Sequence, residues 1–274
     1  MHSPSQRAFA LVGPGRAGTT IATALVARGL RCVAVAGRSA DAPSTLGVAQ
    51  RLGAQAVEVA GVGHVDGIDT ELVIVATPDA KIAGTAAALA PVVAPGTLVL
   101  HLSGACTLAE LDKLATARPD VLVGSLHPLQ SLPSFEVGVE RLALSLGMRP
   151  FRVADDRRVA YHAAATIASN HLVALLGQVA RVAADAGIPA EALLPLVRAT
   201  LDNVEALGPE GALTGPVARG DADTVARHLD ALPADEQRAY RALAAEALRL
   251  GGRDGNPNHA ALTLLLEGRE GGAQ

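Results

Sequence analysis

The chain has 274 residues, half of them hydrophobic and only 18% charged, with a formal net charge of −4. This composition supports two modest hydrophobic cores. It excludes bulk disorder and offers no basic run for nucleic acid or an anionic membrane. Cys32 and Cys106 do not make a disulfide framework; each sits in an apolar stretch and reads as a small buried hydrophobe.

The amino-terminal half alternates strands with helices. AFALVG (8–13) is an apolar run closed by glycine, and GPGRAG then opens a helix through TTIATALVARG. RCVAVAG (31–37) is the second strand, 43–52 a helix and AVEV (56–59) a weak third strand. ELVIVATPD (71–79) is a continuous apolar run, the pattern of a parallel strand covered on both faces. A helix over 80–90, a strand in TLVLHLSGA (97–105), a helix over 107–117 and a strand in VLVGSLHPL (121–129) follow. RLALS and RPFRV, within 138–153, read as added edge strands. The expected fold is α/β: a mostly parallel, Rossmann-like sheet with helices on both faces.

Beyond about residue 150 the pattern turns helical. Periodicity runs through 155–186, then 189–207, 221–230, 233–250 and 257–267, with the glycine-rich TGPVARGD read as a loop. The division is therefore expected at 154/155: 1–154 as a nucleotide-binding domain and 155–274 as a helical domain for substrate and dimerisation. The apolar run beginning at Ala8 is broken by Gly13, Pro14 and Arg16, and no other uninterrupted apolar stretch is long enough to span a bilayer. The expectation is a cytoplasmic protein.

Gly13, Gly15 and Gly18 form GxGxxG between a strand and a helix, the context that gives this weak pattern its meaning. Gly13 permits the turn, Gly15 leaves room for a pyrophosphate, and Gly18 lets helix and strand pack closely. Pro14 stiffens the turn, and the amides of Arg16, Ala17 and Gly18 face the phosphates. Strand two ends in Gly37, Arg38 and Ser39 rather than an acid. Arg38 and Ser39 suit a 2′-phosphate, so the expected cofactor is NADP. Thr77 and Pro78, ending the strongest strand, are placed at the cofactor.

Ser103 and His101 end one strand and His127 the next, on the same rim as the glycine turn. A histidine can exchange the proton that hydride transfer to C=O or C=N requires. Ser103 and His101 are read as contacts to the reactants. His162, Thr166 and Asn170 recur every fourth residue and form one helical stripe. His162 or His127 is the expected proton carrier, with Asn170 and Thr166 beside it. In ALTGPVARGD, Arg219 and Thr214 are candidate substrate contacts, while Asp221 suits a helix cap. The three imidazoles lack the short ligand spacing of a metal site, and no metal is expected.

GPGRAG, HLSGA, HPLQS, YHAAATIASNH and LTGPVARGD together resemble a bacterial family that pairs a Rossmann-like domain with a helical domain of unknown function, of the 2520 type. The resemblance implies kinship with pyrroline-5-carboxylate and ketopantoate reductases, β-hydroxyacid dehydrogenases and prephenate dehydrogenase. It also implies a second domain of the 6-phosphogluconate dehydrogenase carboxy-terminal type and a homodimer. In the β-hydroxyacid dehydrogenases a lysine stands four residues before an asparagine on the interdomain helix. If Asn170 matches that asparagine, Thr166 stands where the lysine would. The expected activity is hydride transfer between NADP and a small carbonyl, imine or hydroxy-acid substrate; the alternative is a non-catalytic NADP-binding sensor or interaction protein.

Overall fold

A computed structural model describes residues 7–127, 142–144, 146–149, 151–252 and 258–267. The chain forms two compact units, Met1–Ala168 and Ser169–Gln274.

The first unit is built on six parallel strands: β1 Ala8–Val12, β2 Arg31–Ala36, β3 Gln55–Val57, β6 Leu72–Val75, β7 Leu98–His101 and β8 Leu122–Ser125. Their order is β3-β2-β1-β6-β7-β8. The order reverses between β1 and β6, the position where open α/β sheets bind ligands beyond the strand carboxyl ends. Both sheet faces are covered, as the continuous apolar runs require. Ala8, Ala10 and Val12 of β1 join one core with Ile82, Ala86 and Leu89 from helix α3 (Ile82–Leu89). Phe9 and Leu11 point the other way, into a core with Ile21, Ala22 and Leu25 of α1 (Arg16–Ala27) and Val48, Ala49 and Leu52 of α2 (Pro43–Leu52). A shorter helix, α4 (Asp112–Ala117), precedes β8 and buries Leu114.

Three local features differ from the sequence expectation. A two-stranded hairpin, β4 His64–Val65 and β5 Ile68–Asp69, was not anticipated. Its turn is Asp66-Gly67, both with positive φ (51° and 78°), the conformation that an Asp-Gly pair favours in a tight hairpin. In RLALS, residues 142–144 are helical rather than extended. Leu142 and Leu146 pack on the sheet core around buried Ala143, a spacing that suits a helical turn. In RPFRV, the described residues form no strand beyond an isolated bridge at Phe151.

Helix α5 (Arg158–Thr166) runs into a π-helical turn, Ile167–His171, and then α6 (Leu172–Asp185). Composition placed the domain boundary where helices replace strands. The compact first unit instead keeps α5, because Arg158, Tyr161 and His162 all pack within it. Asp155–Asp185 is long and apolar enough to cross a membrane by length and composition alone. Requiring an uninterrupted apolar run had hidden this, since His162, Ser169, Asn170 and Arg181 interrupt it. Only 6% of the qualifying window is buried within the chain.

In the second unit, α7 (Leu194–Ala212) is kinked at Gly208-Pro209. The expected TGPVARGD loop contains a short helix, α8 (Pro216–Arg219), started by Pro216 and ended by left-handed Gly220. Asp221 caps α9 (Ala222–Ala231) by accepting from the Thr224 amide at 3.0 Å. Val217, Val225 and Leu229 form a core with Ala244 and Leu248 of α10 (Ala234–Leu250) and Leu262 and Leu266 of α11 (His259–Leu266).

A β-carbon on Gly18 would lie 2.6 Å from the Gly13 carbonyl oxygen and 2.7 Å from Ala76 Cβ. Gly18→Ala is therefore expected to lower stability by roughly 1–3 kcal/mol through overpacking. A shift in the urea midpoint at constant slope measures it.

Candidate functional site

The glycine turn has the geometry of a phosphate cradle. Gly13 has φ +95°, and a β-carbon there would lie 2.6 Å from the Ala76 carbonyl and 2.7 Å from the Thr77 amide nitrogen. The turn is thus pressed onto the end of β6. Gly15 is the opposite case: nothing lies within 4 Å of its β-carbon position. Gly15, Arg16 and Ala17 are exposed, while Pro14 is half-buried. The first bond of α1 runs from the Thr19 amide to the Gly15 carbonyl at 2.9 Å. The amides of Arg16, Ala17 and Gly18 precede that bond, so the helix's own ladder does not use them. Thr77 Oγ1, at the same strand ends, is buried and without a hydrogen-bond partner, and Pro78 beside it is exposed. An open glycine, free helix-start amides and an orphaned hydroxyl together fit a dinucleotide's pyrophosphate.

Gly37 packs tightly on Thr45, Arg38 is exposed and Ser39 half-buried. Sequence reading missed Glu58, just beyond β3. Its Oε1 accepts from the Ala40 amide at 3.1 Å, which brings a carboxylate beside Arg38 and Ser39. Eighteen residues separate Glu58 from Ala40, and only the β2–β3 pairing joins them.

The second cluster lies at the ends of β7 and β8. His101 pairs in register with Ser125, and both are fully buried. His101 Nδ1 accepts from the Ser103 amide at 3.2 Å, and its Nε2 has no hydrogen-bond partner. Burial, reinforced by the Arg158 charge, pushes the His101 pKa down to about 4. The nearby Thr107 backbone and Asp79 charge offset this only in part. His101 is a neutral imidazole beneath the rim, with no surface open to solvent. Ser103 Oγ accepts from the Ala105 and Cys106 amides (3.2 and 2.9 Å), closing a local turn, and its hydroxyl also interacts with the Cys106 thiol.

His127 is half-buried, with Nδ1 2.8 Å from the Tyr161 hydroxyl. Its ring stands edge-on to Tyr161 (5.6 Å) and to His162 (5.9 Å). Burial, then the His162 and Arg158 charges, hold its pKa below the usual imidazole value, and Asp79 opposes them. His162 Nδ1 is buried and unpartnered. Both histidines converge on Gly104: a β-carbon there would lie 2.9 Å from His127 Nε2 and from His162 Nδ1.

Arg158, which the sequence did not single out, lies behind this pair with 1% of its surface exposed. Its Nε donates to the Cys106 carbonyl at 2.8 Å and its Nη2 to Ser125 Oγ at 2.7 Å; Asp155 lies 4.0 Å away and is mostly exposed. An arginine near the start of a helix ordinarily reads as solvated, which is why it went unseen. Tyr161 was equally missed. Cys32 is buried as expected, with burial raising its pKa to about 12, but Cys106 is only partly buried. Burial holds the Cys106 thiol protonated as well.

Of the remaining sequence candidates, Thr166 is half-buried on α5, and Asn170 is exposed within the π turn. Pro128 lies outside the described residues. Thr214 and Arg219 are exposed on the second unit.

This architecture defines a two-domain protein with a Rossmann-like sheet and a helical second part. Comparison agrees: residues 3–128 match the Rossmann-like domain, and residues 133–247 match a domain of unknown function, DUF2520. The chain therefore joins a Rossmann-like domain to a DUF2520 domain. No curated protein matches it.

Among solved structures, it is similar to a Bacteroides fragilis protein provisionally described as an NADP oxidoreductase. That match has 22% identity and a TM-score of 0.74, covering 90% of this chain and 100% of the other. A Thermotoga maritima protein matches at 24% identity and TM-score 0.58, covering 95% and 96%. A pyrroline-5-carboxylate reductase from Coxiella burnetii matches at 14% identity and TM-score 0.57, covering 96% and 98%. At these identities the likeness establishes the fold.

The low pKa of His101 makes stability pH-dependent. Above pH 6.5 both folded and unfolded chains hold it neutral. As pH falls from 6.5 towards 4, the unfolded chain takes the proton first and stability is lost. The full loss is about 3 kcal/mol. His101→Asn retains an acceptor for the Ser103 amide and should flatten this part of the profile, as read by urea unfolding across that pH range.

Proposed function

We propose that the protein is an NADP(H)-dependent oxidoreductase acting on a small carbonyl, imine or hydroxy-acid substrate. The observation that carries this reading is a shared edge. The open glycine turn and the converging His127–His162 pair both lie at the carboxyl ends of one parallel sheet. Bound NADPH would supply a hydride. The turn at Gly13–Gly18 would hold its pyrophosphate, Thr77 and Pro78 would flank it, and Arg38 with Ser39 would meet the 2′-phosphate.

His127 or His162 exchanges the proton, and Ser103, Asn170 and Thr166 orient the reactants. His101 supports this rim from below. Thr214 and Arg219 are proposed substrate contacts, since the Arg219 fork suits a carboxylate. We also propose a cytoplasmic homodimer. Leu194, Leu201 and Val204 recur along one side of α7 and are 40, 50 and 37% exposed, and that helix buries no residue within the chain. An apolar face of this kind fits a second copy of the chain.

Calorimetry should show NADPH binding more tightly than NADH, with Arg38→Ala shrinking the difference. Equal affinities in the parent protein would mean that Glu58 balances Arg38, and would remove the case for NADP preference. Keto acids, cyclic imines and aldehydes screened by NADPH absorbance should reveal turnover. No turnover, with NADPH still bound, would favour a sensor. Light scattering should give twice the chain mass, and Leu201→Glu should return it to the monomer value.

A further inference from the structure

The geometry points to Tyr161 as the residue that sets the tautomer of His127, and so decides which ring nitrogen carries the proton for transfer. This rests on the reading of His127 as a proton carrier.

The two nitrogens of His127 face different partners. Nδ1 lies 2.8 Å from the Tyr161 hydroxyl oxygen. Nε2 faces the loop after β7, where it and His162 Nδ1 close on Gly104. Tyr161 is held in turn by Phe151, whose ring stands edge-on at 5.9 Å.

A neutral imidazole bears one N–H, and the partner of one nitrogen fixes the state of the other. A phenol is a far stronger acid than a neutral imidazole N–H, and an imidazole nitrogen is a better base than a phenolic oxygen. The bond therefore runs from the Tyr161 O–H to Nδ1, and the proton of His127 resides on Nε2. That N–H faces the rim, beside the buried Nδ1 of His162, which has no hydrogen-bond partner among the described residues.

The tautomer has a chemical consequence. In a reduction of a bound carbonyl, the substrate oxygen would take the proton from Nε2. Nδ1 takes the phenolic proton in the same movement, so the imidazole never becomes an anion. Water then reprotonates the Tyr161 phenolate. Tyr161 touches neither substrate nor cofactor in this scheme; it sets the tautomer and relays a proton through His127.

Nitrogen-15 NMR of the full-length, histidine-labelled protein tests this without a substrate. The wild-type His127 signals should be those of the Nε2–H tautomer. Tyr161→Phe should release the bias and give mixed signals, while leaving calorimetric NADPH binding unchanged. His228 and Tyr240, also 2.8 Å apart but in the second unit, provide a control: Tyr240→Phe should alter His228 alone. A wild-type His127 protonated on Nδ1, or identical tautomer populations in Tyr161→Phe, would overturn the proposal. The wild-type spectrum decides even if the variant does not fold. Failure of NADPH to bind would reject the cofactor reading and leave the tautomer result standing. Once a substrate is found, Tyr161→Phe should lower kcat on the order of 10²-fold with little change in KM.

Discussion

One buried guanidinium holds the candidate site in place. Charge is taken out of water only where hydrogen bonds compensate it, and Arg158 meets that condition by bonding to the Cys106 carbonyl and the Ser125 hydroxyl. These two acceptors lie beyond β7 and at the end of β8, so a single side chain fixes the start of α5 against two strand ends. Tyr161 and His162 follow three and four residues later, one helical turn along, which places them on the same side of the helix as Arg158. Their approach to His127 is a consequence of that anchoring.

The same cation also shapes the site's electrostatics. Burial is the leading cause that lowers the pKa of His101 and His127; the Arg158 charge adds to it at both, after that of His162 at His127. A neutral imidazole is a weaker acid than an imidazolium, but it can both donate and accept. In the proposed function this would favour a proton passed along a chain of hydrogen bonds over one released by a cationic acid. This matters for the resemblance to β-hydroxyacid dehydrogenases. If Asn170 matches their asparagine, Thr166 takes the place of their lysine and brings no charge. The positive charge near these imidazoles comes from Arg158, behind the site, where it influences protonation without being the donor.

Much of the fold was legible in the sequence because its signals are local. Five of the six sheet strands are apolar runs bounded by turn residues, and the glycine spacing reports backbone clearances that the structure shows at Gly13, Gly15 and Gly18. The site was legible only in part. His127 and His162 could be nominated by type and position, but Arg158, Tyr161 and Glu58 owe their places to pairings distant in sequence. Arg158 reaches 52 residues back to Cys106, and Tyr161 reaches 34 back to His127. No periodicity carries such information. The 64–69 hairpin is a different failure, since its Asp-Gly turn was readable and two-residue strands are simply too short to show alternation.

The stripe of His162, Thr166 and Asn170 failed for a third reason. It assumed one helical register throughout, whereas Ile167–His171 is a π turn with a wider repeat. Each flank has its own anchor within its own unit: Arg158 for α5, and for α6 the bonds from Gln178 and Arg181 to Glu236. His162 and Thr166 thus share a face defined by the first anchor. Asn170 lies in the π turn itself, so a role for its amide has to stand on its own chemistry and cannot be inherited from the imidazole two turns earlier.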